Sequence, residues 1–245
     1  MNKEILEKSL VAFTDGSSLG NPGPGGWGAV LVSPRMEEII ELGGMKPQTT
    51  NNEMELSAIV AVLSHAVNNT EPLHIFTDSQ YAINGITKWI NGWKQNGWKT
   101  KNGDPVKNMF YFKTMDELIR ERGTNTVHFH HVSAHVGIPG NERVDDIARW
   151  FAEGQDVSLY RGNMADYDIK NILSFEYNAE EKQKRSGKGK SAYSYLSLID
   201  GELQKHTTWT ECEARVSGKK AKFKKALNAE HEQEILEDWG LKKED

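Results

Sequence analysis

Leu10-Val11-Ala12-Phe13-Thr14-Asp15-Gly16 is an unbroken apolar run of strand length that stops on an acid and a glycine. Such a run reads as a buried strand running into a turn. Loop chemistry follows, with Gly20, Gly23, Gly25 and Gly26 interleaved with Pro22 and Pro24 as far as Gly28. Residues 27–32 and 38–42 read as two further strands joined by a turn at Ser33-Pro34. From Asn52 the period changes: Met54, Ala58, Ala61 and Val62 follow the helical repeat as far as about residue 67. Residues 73–77 form a short apolar strand, and Ser79 is placed to cap a helix running to about residue 93. A helix over 110–122, a strand over 126–134 and a helix over 141–153 complete the series. Early hairpins followed by strand–helix alternation imply an α/β fold, a mixed sheet with helices on its faces.

Beyond residue 154 the periodicity weakens. Residues 155–191 mix apolar clusters with Asn, Glu, Lys and Gly and read as a linker, with packing of part of it against the first domain left open. Order resumes with a strand over 193–199, a turn at Asp200-Gly201, a second strand, and helical segments over 210–216 and 229–239. The expected organisation is therefore a domain over 1–154, a linker over 155–191 and a small α/β module over 192–245.

With 37% hydrophobic and 27% charged residues the chain is an ordinary globular protein rather than a disordered one. It has no apolar run of the roughly 18 residues a membrane helix needs, and residues 1–10 lack the apolar core of a signal peptide. Cys212 is the single cysteine, which excludes an internal disulfide and a four-cysteine zinc site. A cytoplasmic monomer without membrane contact is the expectation. The net charge of −5 hides basic patches: residues 182–190 and 215–225 are rich in Lys and Arg and contain no acid. Patches of this kind matter more for phosphate binding than the total charge does. A solvated linker and a solvated helix face are the other reading.

Four acids occupy positions where sheet enzymes keep their chemistry. Asp15 and Asp78 end strands, while Glu55 and Asp145 lie near the starts of helices. Four carboxylates brought together raise one another's pKa unless a cation compensates. Magnesium suits that task, since it prefers oxygen ligands and shares substrate phosphate oxygens. Taken singly, each acid has another reading: Asp78 as a helix-start residue, Asp15 as part of a turn, Glu55 and Asp145 as solvent-facing. Composition and periodicity leave both readings open.

The motifs add a resemblance. Thr14-Asp15-Gly16-Ser17, Asn51-Asn52-Glu53-Met54-Glu55-Leu56, Thr77-Asp78-Ser79-Gln80-Tyr81, and His135 followed by Pro139-Gly140-Asn141-Glu142-Arg143-Val144-Asp145 closely resemble the type 1 ribonuclease H family, in its order and spacing, over about residues 9–152. The resemblance implies a mixed five-stranded sheet flanked by helices. It also implies an endonuclease that hydrolyses the RNA strand of RNA–DNA hybrids with two magnesium ions, manganese being the alternative. Asp15, Glu55, Asp78 and Asp145 would be the metal-binding acids, and the products would carry 5′-phosphate and 3′-hydroxyl ends. His135 would be the loop histidine that assists proton transfer or product release. Many relatives have glycine before this histidine and a second histidine where Ile138 stands.

By the same resemblance Asn21, Asn51, Asn52 and Gln80 touch the minor groove, where the 2′-hydroxyl separates RNA from DNA. The stretch 89–101, with Trp89, Trp93 and Trp98 interleaved with Lys94, Lys99 and Lys101, looks like the family's basic protrusion that grips the DNA strand. Gln95 and Asn96 make it less basic than in some relatives. The C-terminal residues, including Trp209-Thr210-Glu211-Cys212 and Ala221-Lys222-Phe223-Lys224-Lys225, resemble the small hybrid-binding domain of eukaryotic ribonucleases H. There Trp209 would stack on a deoxyribose, and Lys224 and Lys225 would meet phosphates. His128 and His130 share one face of the strand over 126–134, where strand packing is the expected role rather than zinc binding.

Overall fold

The structure, a computed structural model, describes residues 3–133, 137–175, 193–199, 201–217, 219, 221–226 and 229–241. The chain divides into two compact units, Met1–Ala179 and Glu180–Asp245.

The first unit opens with a short helix, α1 (Lys3–Glu7), followed by strands β1 (Leu10–Ser18), β2 (Gly23–Ser33) and β3 (Glu38–Thr49). Helix α2 (Asn51–Ala66), strand β4 (Leu73–Thr77), helices α3 (Gln80–Asn84), α4 (Ile90–Gln95) and α5 (Met109–Arg122), strand β5 (Val127–His131) and helix α6 (Pro139–Ala152) come next. The sheet order is β5-β4-β1-β2-β3, extended by β6 (Arg161–Asn163) on the outer edge of β3. β1 runs parallel to β4, and β4 to β5; the other pairs are antiparallel.

Side chains alternate across β1. Leu10 and Ala12 enter a core shared with α2 and α5, whereas Val11 and Phe13 enter a second core beneath α6. Phe13 is wholly buried, which contributes on the order of 1.5–3 kcal/mol. It stacks on Phe76 and Phe175 with ring centroids at 5.4 and 5.7 Å.

Four details differ from the sequence-based expectation. The sheet has six strands rather than five, and the first unit continues past residue 154. Residues 155–175, expected to begin a linker, supply β6 and place Leu159, Tyr160, Tyr167, Ile172 and Phe175 against the second core. Their apolar residues are spaced by a three-residue strand and a short 3₁₀ turn, Met164–Asp166, so no helical or strand period marks them. The loop after β1 is also shorter than the glycines suggested, because pairing runs from Val11↔Val32 through Ser18↔Gly25. The helix expected from Ser79 to residue 93 is interrupted by a π-helical turn, Gly85–Trp89. A Cβ on Gly85 would stand 2.1 Å from the Phe112 ring, so the chain widens where that ring is seated.

The second unit pairs β7 (Ser194–Ile199) with β8 (Glu202–His206) on one side and β9 (Ala221–Ala226) on the other. Helices α7 (Trp209–Val216) and α8 (Ala229–Asp238) complete it. Thr208 and Glu211 form a reciprocal cap at the start of α7. Leu196, Ala226 and Ile235 centre its core, with Leu236 and Trp239 packed around them. Among the described residues no helix is long and apolar enough to cross a membrane.

Candidate active site

Asp15 lies in β1 and Asp78 directly follows β4, its parallel neighbour, so the two acids emerge side by side. Helix α2 delivers Glu55 in its first turns. Its start is fixed by Thr50, which accepts from Glu53 N at 3.3 Å while the Glu53 carboxylate accepts from Thr50 N. Two glycines let the helices come this close. A Cβ on Gly16 would stand 2.2 Å from Glu55 N, so only glycine beside Asp15 admits α2. Gly28, the cross-strand partner of Asp15, does the same for α6: a Cβ there would lie 2.7 Å from Val144 O, next to Asp145.

The electrostatics register the result. Burial holds the Asp15 carboxyl well above its ordinary pKa; Asp78, Asp145 and Glu55 push it in the same direction, against a 2.7 Å hydrogen bond from Gly16 N. Glu55 is raised by burial and by Asp78, opposed by hydrogen bonds from Ser79 and Asn51. The four acids share one field, yet among the described residues no three His, Cys, Asp or Glu side chains converge tightly enough to ligate an ion as they stand. One Glu55 carboxylate oxygen accepts from Asn51 Nδ2 at 2.8 Å and the other from the Ser79 hydroxyl.

That role for Ser79 goes beyond the helix cap the sequence suggested, although it caps α3 as well, accepting from Ala82 N at 3.2 Å. No sequence pattern announces the bond, because Ser79 and Glu55 meet only through the packing of α2 beside β4. His135 lies outside the described residues.

The substrate-facing residues fall in two groups. Asn21 is exposed at the tip between β1 and β2, Asn51 and Asn52 open α2, and Gln80 is exposed two residues past Asp78. Asn51 bonds Glu55, and Gln80 begins the helix that follows Asp78. Beyond α3, Trp93 and Trp98 are half-buried against the first core, and Trp93 meets Phe112 edge-on at 4.9 Å. Trp89 is 41% exposed and presents a face to solvent. Lys94 is engaged by Asp116 at 2.9 Å, whereas Lys99 and Lys101 are exposed. Lys113 lies 5.2 Å over the Trp98 ring, a cation the sequence reading did not include. Lys224 is exposed on β9, and Trp209 opens α7.

The sequence model of the family described as RNase H matches residues 7–153. The chain belongs to the ribonuclease H family. A ribonuclease H from Acidovorax sp. (strain JS42) is 48% identical over 139 residues, 57% of this chain and 91% of that protein. The ribonuclease H of Rhizobium meliloti (strain 1021) is 46% identical over 142 residues, 58% and 89% of the two chains. Among solved structures, LC9-RNase H1, a type 1 RNase H with the type 2 active-site motif, aligns with a TM-score of 0.57 at 24% identity, over 70% of this chain and 86% of that one. The solution structure of the PFV RNase H domain gives 0.52 at 21% identity, over 60% and 96%. These two likenesses support the fold. The activity is endonucleolytic cleavage of RNA in RNA–DNA hybrids.

Proposed function

We propose that Asp15, Glu55, Asp78 and Asp145 hold two magnesium ions, with manganese able to replace them, and that hydrolysis of the RNA strand takes place over this cluster. The observation that carries the reading is Asp15: a buried carboxylate repelled by three other acids is a site short of positive charge. Its donor set, oxygen throughout, suits a hard divalent cation. When bound, the ions supply positive charge to the scissile phosphate and to the oxygens entering and leaving it.

The chain's own residues do the rest. Water's oxygen bonds to phosphorus, the bond to the ribose 3′-oxygen breaks, and the products carry 5′-phosphate and 3′-hydroxyl ends. His135 is assigned the proton traffic at the departing 3′-oxygen or the release of product; the intrinsic pKa of histidine suits either. Asn21, Asn51, Asn52 and Gln80 offer short amides to the minor groove, where a 2′-hydroxyl can both donate and accept. Asn51 also holds Glu55, which ties groove contact to the position of an acid. Trp89, Lys99 and Lys101 form the part of the protrusion free to face the DNA strand, with Trp93 and Trp98 cementing it from beneath and Lys94 held by Asp116.

The second unit is assigned hybrid binding, through Trp209, Lys224 and Lys225. Lys222 and Lys224 on β9 are exposed, and Lys205 lies 4.5 Å over the ring of Tyr193, which is itself 52% exposed. Cleavage of an end-labelled hybrid, with magnesium and with chelator, tests the central claim. Loss of cutting in chelator and in Asp78→Asn supports it; metal-independent cutting, or a protein that binds hybrid without cutting it, overturns it.

A further inference from the structure

Glu41 interrupts the apolar side of β3 with a charge, and its side chain has no solvent exposure. An isolated carboxylate there would neutralise; this one is held below its ordinary pKa, because four donors outweigh burial. Arg143 grips both oxygens, Nε at 2.6 Å and Nη2 at 2.8 Å. The Tyr167 hydroxyl donates at 2.5 Å and Tyr160 N at 2.9 Å. Glu41 N in turn donates to Tyr160 O at 2.8 Å. Arg143 sits on α6, two residues before Asp145, so a two-pronged grip on its guanidinium fixes both the rotation and the advance of that helix over the sheet. The family match ends at residue 153, yet two of the four donors come from beyond it.

We propose that the segment 159–175 is a working part of the catalytic unit: through Tyr160 and Tyr167 it fixes Glu41, Glu41 fixes Arg143, and α6 thereby holds Asp145 in ligating position. Tyr160, Tyr167, Glu41 and Arg143 are positioning residues. The proposal rests on the metal reading of Asp145 given above. The glycine seats under α6 allow the helix to lie close to the sheet but carry no side chain that could stop it from sliding. Ile147 and Phe151 fill those seats with apolar contact, and the polar clamp adds a directional tie to it, with the Tyr167 hydroxyl and Tyr160 amide completing the donors to Glu41. Tyr167 also packs on Tyr160, with ring centroids 4.9 Å apart.

Tyr167→Phe isolates the hydroxyl, since it retains the ring and its packing. The test is a magnesium titration of the full chain without substrate, followed through the backbone amide resonances of Asp15 and Asp145, beside kcat and KM on hybrid. The expected result is a magnesium midpoint raised several-fold, below the roughly tenfold that a direct hydrogen-bond partner of a metal ligand contributes. At limiting magnesium kcat should fall in step, with KM for hybrid unchanged. Glu41→Gln should do the same more severely; if it fails to fold, Tyr167→Phe still decides. Asp145→Asn serves as control. If the wild type responds to magnesium, Asp145→Asn does not, and Tyr167→Phe matches the wild type, the positioning role is overturned even if Tyr167→Phe melts earlier. If the wild type and Asp145→Asn respond alike, the metal assignment itself fails, and the proposal with it.

Discussion

Acidification should weaken this fold through a histidine remote from the four acids. His74 on β4 stacks on His128 at 4.8 Å and on His130 at 5.1 Å, and its Nδ1 lies 2.9 Å from Nε2 of His130. Burial, and then the neighbouring His128 and His130, lower its pKa from 6.5 to about 4. Its folded pKa is thus below its unfolded one, so the unfolded chain binds the extra proton between these values. The stability from His74 is complete above pH 6.5 and is lost as pH falls towards 4. The shift corresponds to at most about 3 kcal/mol, of which about 2 should be gone by pH 5, at roughly 1.4 kcal/mol per unit. Asp15 opposes it: a carboxyl raised in the folded state binds protons more readily there and adds stability as pH falls through its folded value. The difference between wild type and His74→Leu removes that contribution, and that of the second unit. Urea unfolding of both proteins at pH 7, 6, 5 and 4.5 should show the wild type losing about 2 kcal/mol more than the variant by pH 5. Parallel profiles, or a His74 imidazole titrating above pH 6 by NMR, would refute the reasoning.

Asp78→Asn should abolish hydrolysis while circular dichroism and hybrid binding stay near those of the parent, since the amide keeps the shape and removes a ligand charge; near-normal turnover in magnesium would sink the assignment. His135→Ala should slow single turnover by about one to two orders of magnitude, the lower part of the usual general acid–base contribution, and an unchanged pH–rate profile would return it to a surface role. Gly28→Ala should cost about 1–3 kcal/mol of stability by overpacking and lower kcat as well, because the added methyl meets Val144 O beside Asp145; a chain that melts and cleaves normally would contradict the seat. A chain ending at residue 179 should cut normally at saturating substrate but bind long hybrids more weakly, since a tethered second site raises avidity, and charge reversal at Lys224 and Lys225 should flatten the salt dependence. Equal affinities at two salt concentrations would reduce the second unit to an appendage.

What could be read from the sequence was whatever rests on near neighbours. The run 10–16 announces a buried strand because four consecutive apolar residues lead into a turn, and the capping of Ser79 to Ala82 N lies within four residues. The four acids were legible as a set only through motifs whose members fold together, since no local period links Asp15 to Asp145. The clamp is a different case. Glu41 finds Arg143 across 102 positions and Tyr167 across 126, and each partner alone looks like an ordinary surface residue. How far the first domain runs past 154 was not legible for the same reason: a strand of three residues carries too little alternation to be seen, and its stability comes from the edge of β3 that it covers. A charge on the inward face of a strand is the one local sign available. Glu41 follows Ile39 and Ile40 and precedes Leu42, a setting in which a carboxylate must find donors or lose its charge. Read that way, Glu41 calls for partners from elsewhere in the chain, and the segment 159–175 with α6 supplies them.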